Sequence, residues 1–128
     1  MKGKRGDRLP EALVELAKQQ GWASGSISGL GGVTNVQLAY FDVLRREYLP
    51  IAVDGIVELV SLTGNLSIVN DAPFWHLHAV VSDRDGHTTA GHLMSLEVAI
   101  TLECWIDAAH EPITRRRDEQ TGLNFLDM

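Results

Sequence analysis

Apolar positions along this chain recur with two different periods. Between Asp7 and Gln20, Leu9, Leu13, Leu16 and Ala17 share one stripe at helical spacing, with Glu11, Glu15, Lys18 and Gln19 off it. That spacing predicts an amphipathic helix. Asp7 is placed to cap its first turn, Pro10 is tolerated near the start, and Gly21 is a stop signal. Beyond Gly21 the period falls to two, the repeat of a strand. A strand is expected at Ser26–Leu30, followed by a turn at Gly31-Gly32. Asn35–Asp42 then alternates Val36, Leu38 and Tyr40 against Gln37, Ala39 and Phe41. Glu47–Val53 carries Pro50 and so reads as an edge strand. Gly55–Leu62 is apolar, and Thr63-Gly64-Asn65 reads as a bend before Leu66–Val69. Ser95–Ile106 is nearly continuously apolar and is expected to be buried on both faces, with Trp105 in the core. In the polar tail, Leu123, Phe125 and Leu126 are the residues able to dock back on the body.

Between these segments lies FWHLHAVVSDRDGHTTAGHLM, Phe74–Met94, with the pattern of a β-hairpin and four of the chain's five histidines. Alternate residues of a strand share a face, so His76 and His78 point the same way. The turn decides where His92 falls. A loop of Arg84-Asp85-Gly86 sets Asp83 opposite His87 and His78 opposite His92, gathering three imidazoles on one face. A loop of Asp83 to Gly86 slips the register by one and sends His92 to the other face, opposite Leu77. Trp75 points away from the pair and reads as core or subunit interface. His87 in the turn and His110 before Glu111-Pro112 are expected in solvent.

The count is six to eight strands and one main flanking helix without βαβ alternation. This predicts an α+β fold with a largely antiparallel sheet, residues 1–128 forming a single domain. The glycines at 25, 29, 31 and 32 do not form a phosphate loop, because no helix follows and no Lys-Ser/Thr is present. They read instead as a strand that another backbone approaches closely.

Composition narrows the function classes. Eleven Lys and Arg against seventeen Asp and Glu give a net charge of −6, the wrong sign for a domain that grips phosphate through its bulk field. Basic residues cluster only at Lys2, Lys4, Arg5 and Arg8 and at Arg115-Arg116-Arg117. One cysteine, Cys104, excludes an intrachain disulfide, and the basic N-terminus has no apolar signal core. No apolar run has the length of a membrane span, so a cytoplasmic location is expected.

The order of motifs resembles the PPC (plants and prokaryotes conserved) domain in its stand-alone prokaryotic form. The resemblance runs through GDRLPEALVELAKQQG, SGSISGLGGVTNVQLAYFD, VELVSLTGN, HLHAVVSDRDGHTTAGHL and TRRRDEQTGL, nearly the whole chain. It implies a compact antiparallel sheet with a flanking helix, assembled as a homotrimer. It also implies that His76, His78 and His92 occupy the positions where some prokaryotic members hold a metal ion. Family members usually carry a strand ahead of the helix. Only Met1–Gly6 precede Asp7 here, so either that strand is lost or the chain starts late, leaving a sheet edge open to a neighbouring chain. No Gly-Arg-Pro AT-hook core is present, and the plant mode of DNA binding does not carry over. The rival fold is a cupin, with His76-x-His78 followed by Asp83, but its expected glycines are missing.

Three neutral imidazoles converging from paired strands suit a divalent metal, zinc first, with one position left for water or ligand. The leading reading is therefore a non-enzymatic homotrimer that binds a metal or small ligand through His76, His78 and His92. The second is a DNA-associated regulatory protein acting through the basic clusters. The third is a small metal-dependent enzyme, for which Glu97 and Glu103 are the nearest acidic candidates and no general base is identified.

Overall fold

The computed structural model describes residues 1–128. Two short strands, β1 (Lys2–Gly3) and β2 (Arg8–Leu9), precede the helix α1 (Glu11–Gln20). Then follow β3 (Ser24–Asp42), β4 (Glu47–Ala52), β5 (Val57–Val69), β6 (Ala72–Ser82), β7 (Thr88–Ala109), β8 (Thr114–Arg117) and β9 (Asn124–Asp127). The hydrogen-bonded order is β4-β3-β7-β6-β5-β8-β9, and a further β3–β5 pairing closes β3, β7, β6 and β5 into a ring. Every pairing is antiparallel except one parallel bridge, Ile68 to Thr114, where the tail joins β5. The fold is therefore α+β and nearly all antiparallel, as the periodicity predicts, but the sheet closes on itself. No helix is long and apolar enough to cross a membrane.

Several expectations about the elements are corrected. The strand ahead of the helix is present: Lys2 and Gly3 pair with Glu103 and Leu102, and Arg8 and Leu9 with Glu97 and Leu96. Arg8-Leu9 is thereby taken into the sheet, so the helix starts at Glu11 rather than Asp7. The Asp7 carboxylate caps no helix; it accepts the Lys4 N–H at 2.7 Å in the turn between β1 and β2. Gly21 does end the helix, with Trp22 N–H donating to the Ala17 carbonyl at 3.0 Å.

The expected turn at Gly31-Gly32 and bend at Thr63–Asn65 are instead interior to single long strands. Both glycine-rich stretches are places of close approach. A Cβ on Gly64 would run into the His76 carbonyl oxygen on the neighbouring strand, so only glycine lets β5 and β6 pair there. Register shifts then bend the long strands around the ring, between Gly32 and Val33 on β3 and between Leu59 and Ser61 on β5.

The core fills the ring and the space under α1. Leu9, Leu13 and Ala17 meet Leu62, Leu66, Trp75, Leu77, Leu96 and Leu102. Each fully buried leucine contributes roughly 1.5–3 kcal/mol through removal of apolar surface from water. Trp75 is 5% exposed, and its indole N–H donates to the Leu13 carbonyl at 3.0 Å, fixing β6 to the helix. Because β6 alternates, burying Trp75, Leu77, Ala79 and Val81 sets His76 and His78 on its opposite face.

Trp105 is the clearest departure, being 85% exposed rather than in the core. On β7 the inward positions are Leu96, Val98, Leu102 and Cys104, and Ile100 and Trp105 lie outside. An unbroken apolar run therefore marks a strand with a buried face and an apolar outer face, not one buried on both.

Candidate metal centre

The hairpin between β6 and β7 decides the site. Asp83 N–H donates to the His87 carbonyl at 3.0 Å, and Gly86 N–H donates to the Asp83 carbonyl at 3.0 Å. The Asp83 Oδ1 accepts the N–H groups of Asp85 at 2.9 Å and His87 at 3.0 Å. Gly86 has φ of 81°, the left-handed region that glycine enters without a Cβ penalty. The loop is thus Arg84-Asp85-Gly86, and the ladder from Ser82–Thr88 back to His78–His92 follows from it. Of the two registers open in the sequence, the side-chain hydrogen bonds of Asp83 favour the one that clusters the histidines.

His76, His78 and His92 come together on the outer face of β6 and β7. Their ring centroids are 5.1 Å apart for His76–His78, 5.4 Å for His76–His92 and 5.6 Å for His78–His92. One ligand nitrogen from each lies within 4.8 Å of the others. A tetrahedral zinc with nitrogens at ~2.0–2.1 Å needs them about 3.3 Å apart, which side-chain rotation can reach from this spacing. Nδ1 of His92 is buried without a hydrogen-bond partner, an atom whose chemistry a metal or donor would satisfy. Burial pushes the His92 imidazole down to about 4, helped by His76 and His78. Burial, His78 and Arg115 lower His76 as well. Both rings therefore stay neutral and keep a lone pair for a Lewis acid. The donor set fits a divalent ion.

The rings line a pocket of about 610 Å³. Tyr48 of β4 stacks on His92 at 4.7 Å and 28° between planes. The tail supplies another wall through Leu123, Asn124 and Phe125. Arg115 of β8 reaches the same space, its guanidinium 5.3 Å over the Phe74 ring. It donates from Nε to Ser67 Oγ at 2.7 Å, from Nη2 to Asn65 Oδ1 at 2.7 Å and from Nη1 to the Asn124 carbonyl at 2.8 Å.

The arginine triplet is thus not a single basic surface. Arg115 is part of the pocket, and exposed Arg116 pairs with Asp127 at 3.2 Å. Tyr48 and Arg115 escape sequence reasoning because neither lies within twenty residues of a clustered histidine along the chain. The alternation of Arg115 and Arg117 in an extended segment is the only local signal that one arginine could turn inward.

Other candidates fall elsewhere. Glu97 accepts from Asn35 Nδ2 at 3.1 Å, Glu103 pairs across with Lys2 on β1, and neither lines the pocket. His87 is exposed beside Asp83 at 3.5 Å, and His110 is exposed with Nδ1 at 2.9 Å from the Gly21 carbonyl oxygen. Lys2, Lys4, Arg5 and Arg8 are all exposed. Asp83, Asp85 and His87 also sit close enough to share an ion, but they are exposed and one Asp83 oxygen already closes the turn.

Comparison with known proteins adds family and fold. No protein with a curated description matches this chain. A solved plant- and prokaryote-conserved (PPC) protein of Pyrococcus horikoshii is 28% identical with a TM-score of 0.92, the alignment covering 100% of this chain and 89% of that one. A metal-containing protein of Archaeoglobus fulgidus is 30% identical with a TM-score of 0.90, covering 100% and 91%. A candidate DNA-binding protein of Bacteroides thetaiotaomicron is 30% identical with a TM-score of 0.93, covering 98% and 88%. The model of the Plants and Prokaryotes Conserved (PCC) domain matches residues 2–109, which span the helix, the closed ring and all three clustered histidines, and the chain belongs to that family.

Proposed function

We propose that this protein is a self-associating binding module, a homotrimer in which His76, His78 and His92 hold a divalent metal, zinc first, with a position open to a ligand. The observation that carries the reading is the convergence of three imidazoles, of which burial holds His76 and His92 neutral and leaves Nδ1 of His92 without a partner. The metal-containing relative from Archaeoglobus fulgidus, similar over the whole chain, supports it. No carboxylate lines the pocket and its three imidazoles are assigned to the metal, so the module is read as binding rather than catalytic. Self-association is supported by the outer face. Leu30, Val60 and Ile100 are 54%, 53% and 56% exposed and line one shallow cleft, a patch that an isolated chain rarely leaves to water. Zinc titration of metal-stripped protein against a chromophoric chelator tests the centre. One site per chain, lost in His92→Ala, is expected, and equal zinc uptake by His92→Ala would contradict it.

A second reading, DNA association, has support in the candidate DNA-binding relative and the exposed Lys2, Lys4, Arg5 and Arg8. It requires binding to mixed-sequence duplex that weakens steeply with salt. Affinity no better than that of an equally acidic control protein would remove it.

A further inference from the structure

We infer that the ligand of the histidine pocket is a small organic carboxylate, its charged end shared between the metal and Arg115 and its apolar body resting on aromatic rings. The inference rests on the metal reading above and adds the chemistry of the open position. Charge points to an anion. Arg115, His76, His78 and His92 all line the pocket and no Asp or Glu does, so a divalent ion would leave its positive charge and that of Arg115 without a counter-charge from the walls. A half-buried positive field of that kind is stabilised by an anionic guest.

Arg115 is prepared to recognise one. Of its five N–H donors, Nε–H and one on each Nη are committed to Ser67, Asn65 and Asn124, leaving one on each Nη. Three partners fix the plane of the guanidinium, so the two remaining donors are held rather than searching, the arrangement that suits a carboxylate. The anchoring is long-range, from β5 and the β9 tail, and binding side chains placed this way lose little entropy on capture.

The remaining walls argue for an organic body. Tyr48, Phe74 and Phe125 line the same pocket, and about 610 Å³ is ample for a ring-sized guest and far more than an inorganic ion needs. The tail hairpin brings Arg115 and Phe125 to the site together, which gives β8 and β9 a role in recognition.

Calorimetric titration of zinc-reconstituted protein with benzoate, benzamide, acetate and inorganic phosphate tests the inference, with metal content measured on the same samples. Benzoate is expected to bind at least tenfold more tightly than benzamide, which lacks the charge, and than acetate or phosphate, which lack the ring. Arg115→Lys is expected to weaken benzoate about tenfold at unchanged zinc content, whereas Arg116→Gln on the exposed face leaves it unaltered. Should Arg115→Lys fail to fold, the benzoate–benzamide and benzoate–acetate ratios of the unaltered protein still decide. Full zinc occupancy without benzoate binding, or equal affinity for benzoate and benzamide, would overturn the inference while the metal reading stands. A chain that retains no zinc would overturn the metal reading instead. The shared carboxylate site falls with it, whether or not benzoate still binds to Arg115 in that chain.

Discussion

Gly64→Ala would show how closely the sheet must pack to place the histidines. The new Cβ would collide with the His76 carbonyl oxygen and lie 2.8 Å from Leu77 Cδ2, and contacts below 3.0 Å are essentially never seen. Restoring an ordinary contact requires β5 and β6 to part by about 1 Å around Asn65–His76 and Gly64–Leu77, because carbon contacts become favourable only near 3.5 Å. Overpacking of this kind costs ~1–3 kcal/mol. A ladder hydrogen bond stretched beyond its range adds about 1 kcal/mol. The sum, roughly 2–4 kcal/mol, lowers the urea midpoint visibly in a protein of this size and lowers Tm by roughly 6–20 °C. Urea denaturation followed by fluorescence of buried Trp75 measures the first term. Zinc affinity measures the second effect, since displacing β6 at His76 disturbs the spacing of its histidines from His92 on β7, and affinity should fall at least tenfold. An alanine variant with an unchanged midpoint and unchanged zinc affinity would refute the argument that close strand approach at Gly64 sets the site.

Three further outcomes follow from the structure. His92 stays neutral in the fold down to about 4 and protonates near 6.5 in the unfolded chain, so between those values the unfolded state binds more protons and stability falls as pH falls. The slope is at most about 1.4 kcal/mol per pH unit and about half that for a half-exposed ring screened by solvent, so metal-free protein should lose stability from pH 6.5 to 4 and His92→Asn should flatten the curve. Trp75→Phe removes the donor to the Leu13 carbonyl and some buried volume, and should cost ~1–3 kcal/mol in urea unfolding; a change below 0.5 kcal/mol, about the noise of surface substitutions, would deny the helix its anchor. Ile100→Asp, on an exposed position of β7, should leave the circular dichroism of the chain unaltered and reduce the particle mass from three chains to one; an unchanged mass would remove that face from the interface.

The parts of the fold legible in the sequence are those set by local chemistry. The helical stripe ending at Gly21, the Pro50 edge strand and the β6–β7 hairpin all rest on neighbours in the chain. The closure of the ring was not legible, because it depends on β3 pairing with both β5 and β7 and no local period encodes a second partner. Gly31-Gly32 and Thr63–Asn65 looked like breaks for the same reason: small residues that admit a neighbouring backbone resemble those that admit a turn. Trp105 looked like core because an apolar run does not say what covers its outer face. At the site, periodicity put His76 and His78 together, and His92 hung on the turn, where Asp83's carboxylate favours the three-residue loop. Tyr48 and Arg115 arrive from distant strands and became visible only in three dimensions.

The measurement that bears most directly on the metal centre is elemental analysis of untagged protein purified without added metal or chelator, beside His78→Ala, with particle mass by light scattering. One divalent ion per chain in the native protein, lost in a folded His78→Ala of unchanged mass, is the predicted result. A folded native protein without metal, and still without it after incubation with zinc, would contradict the account and leave the three histidines a structural cluster.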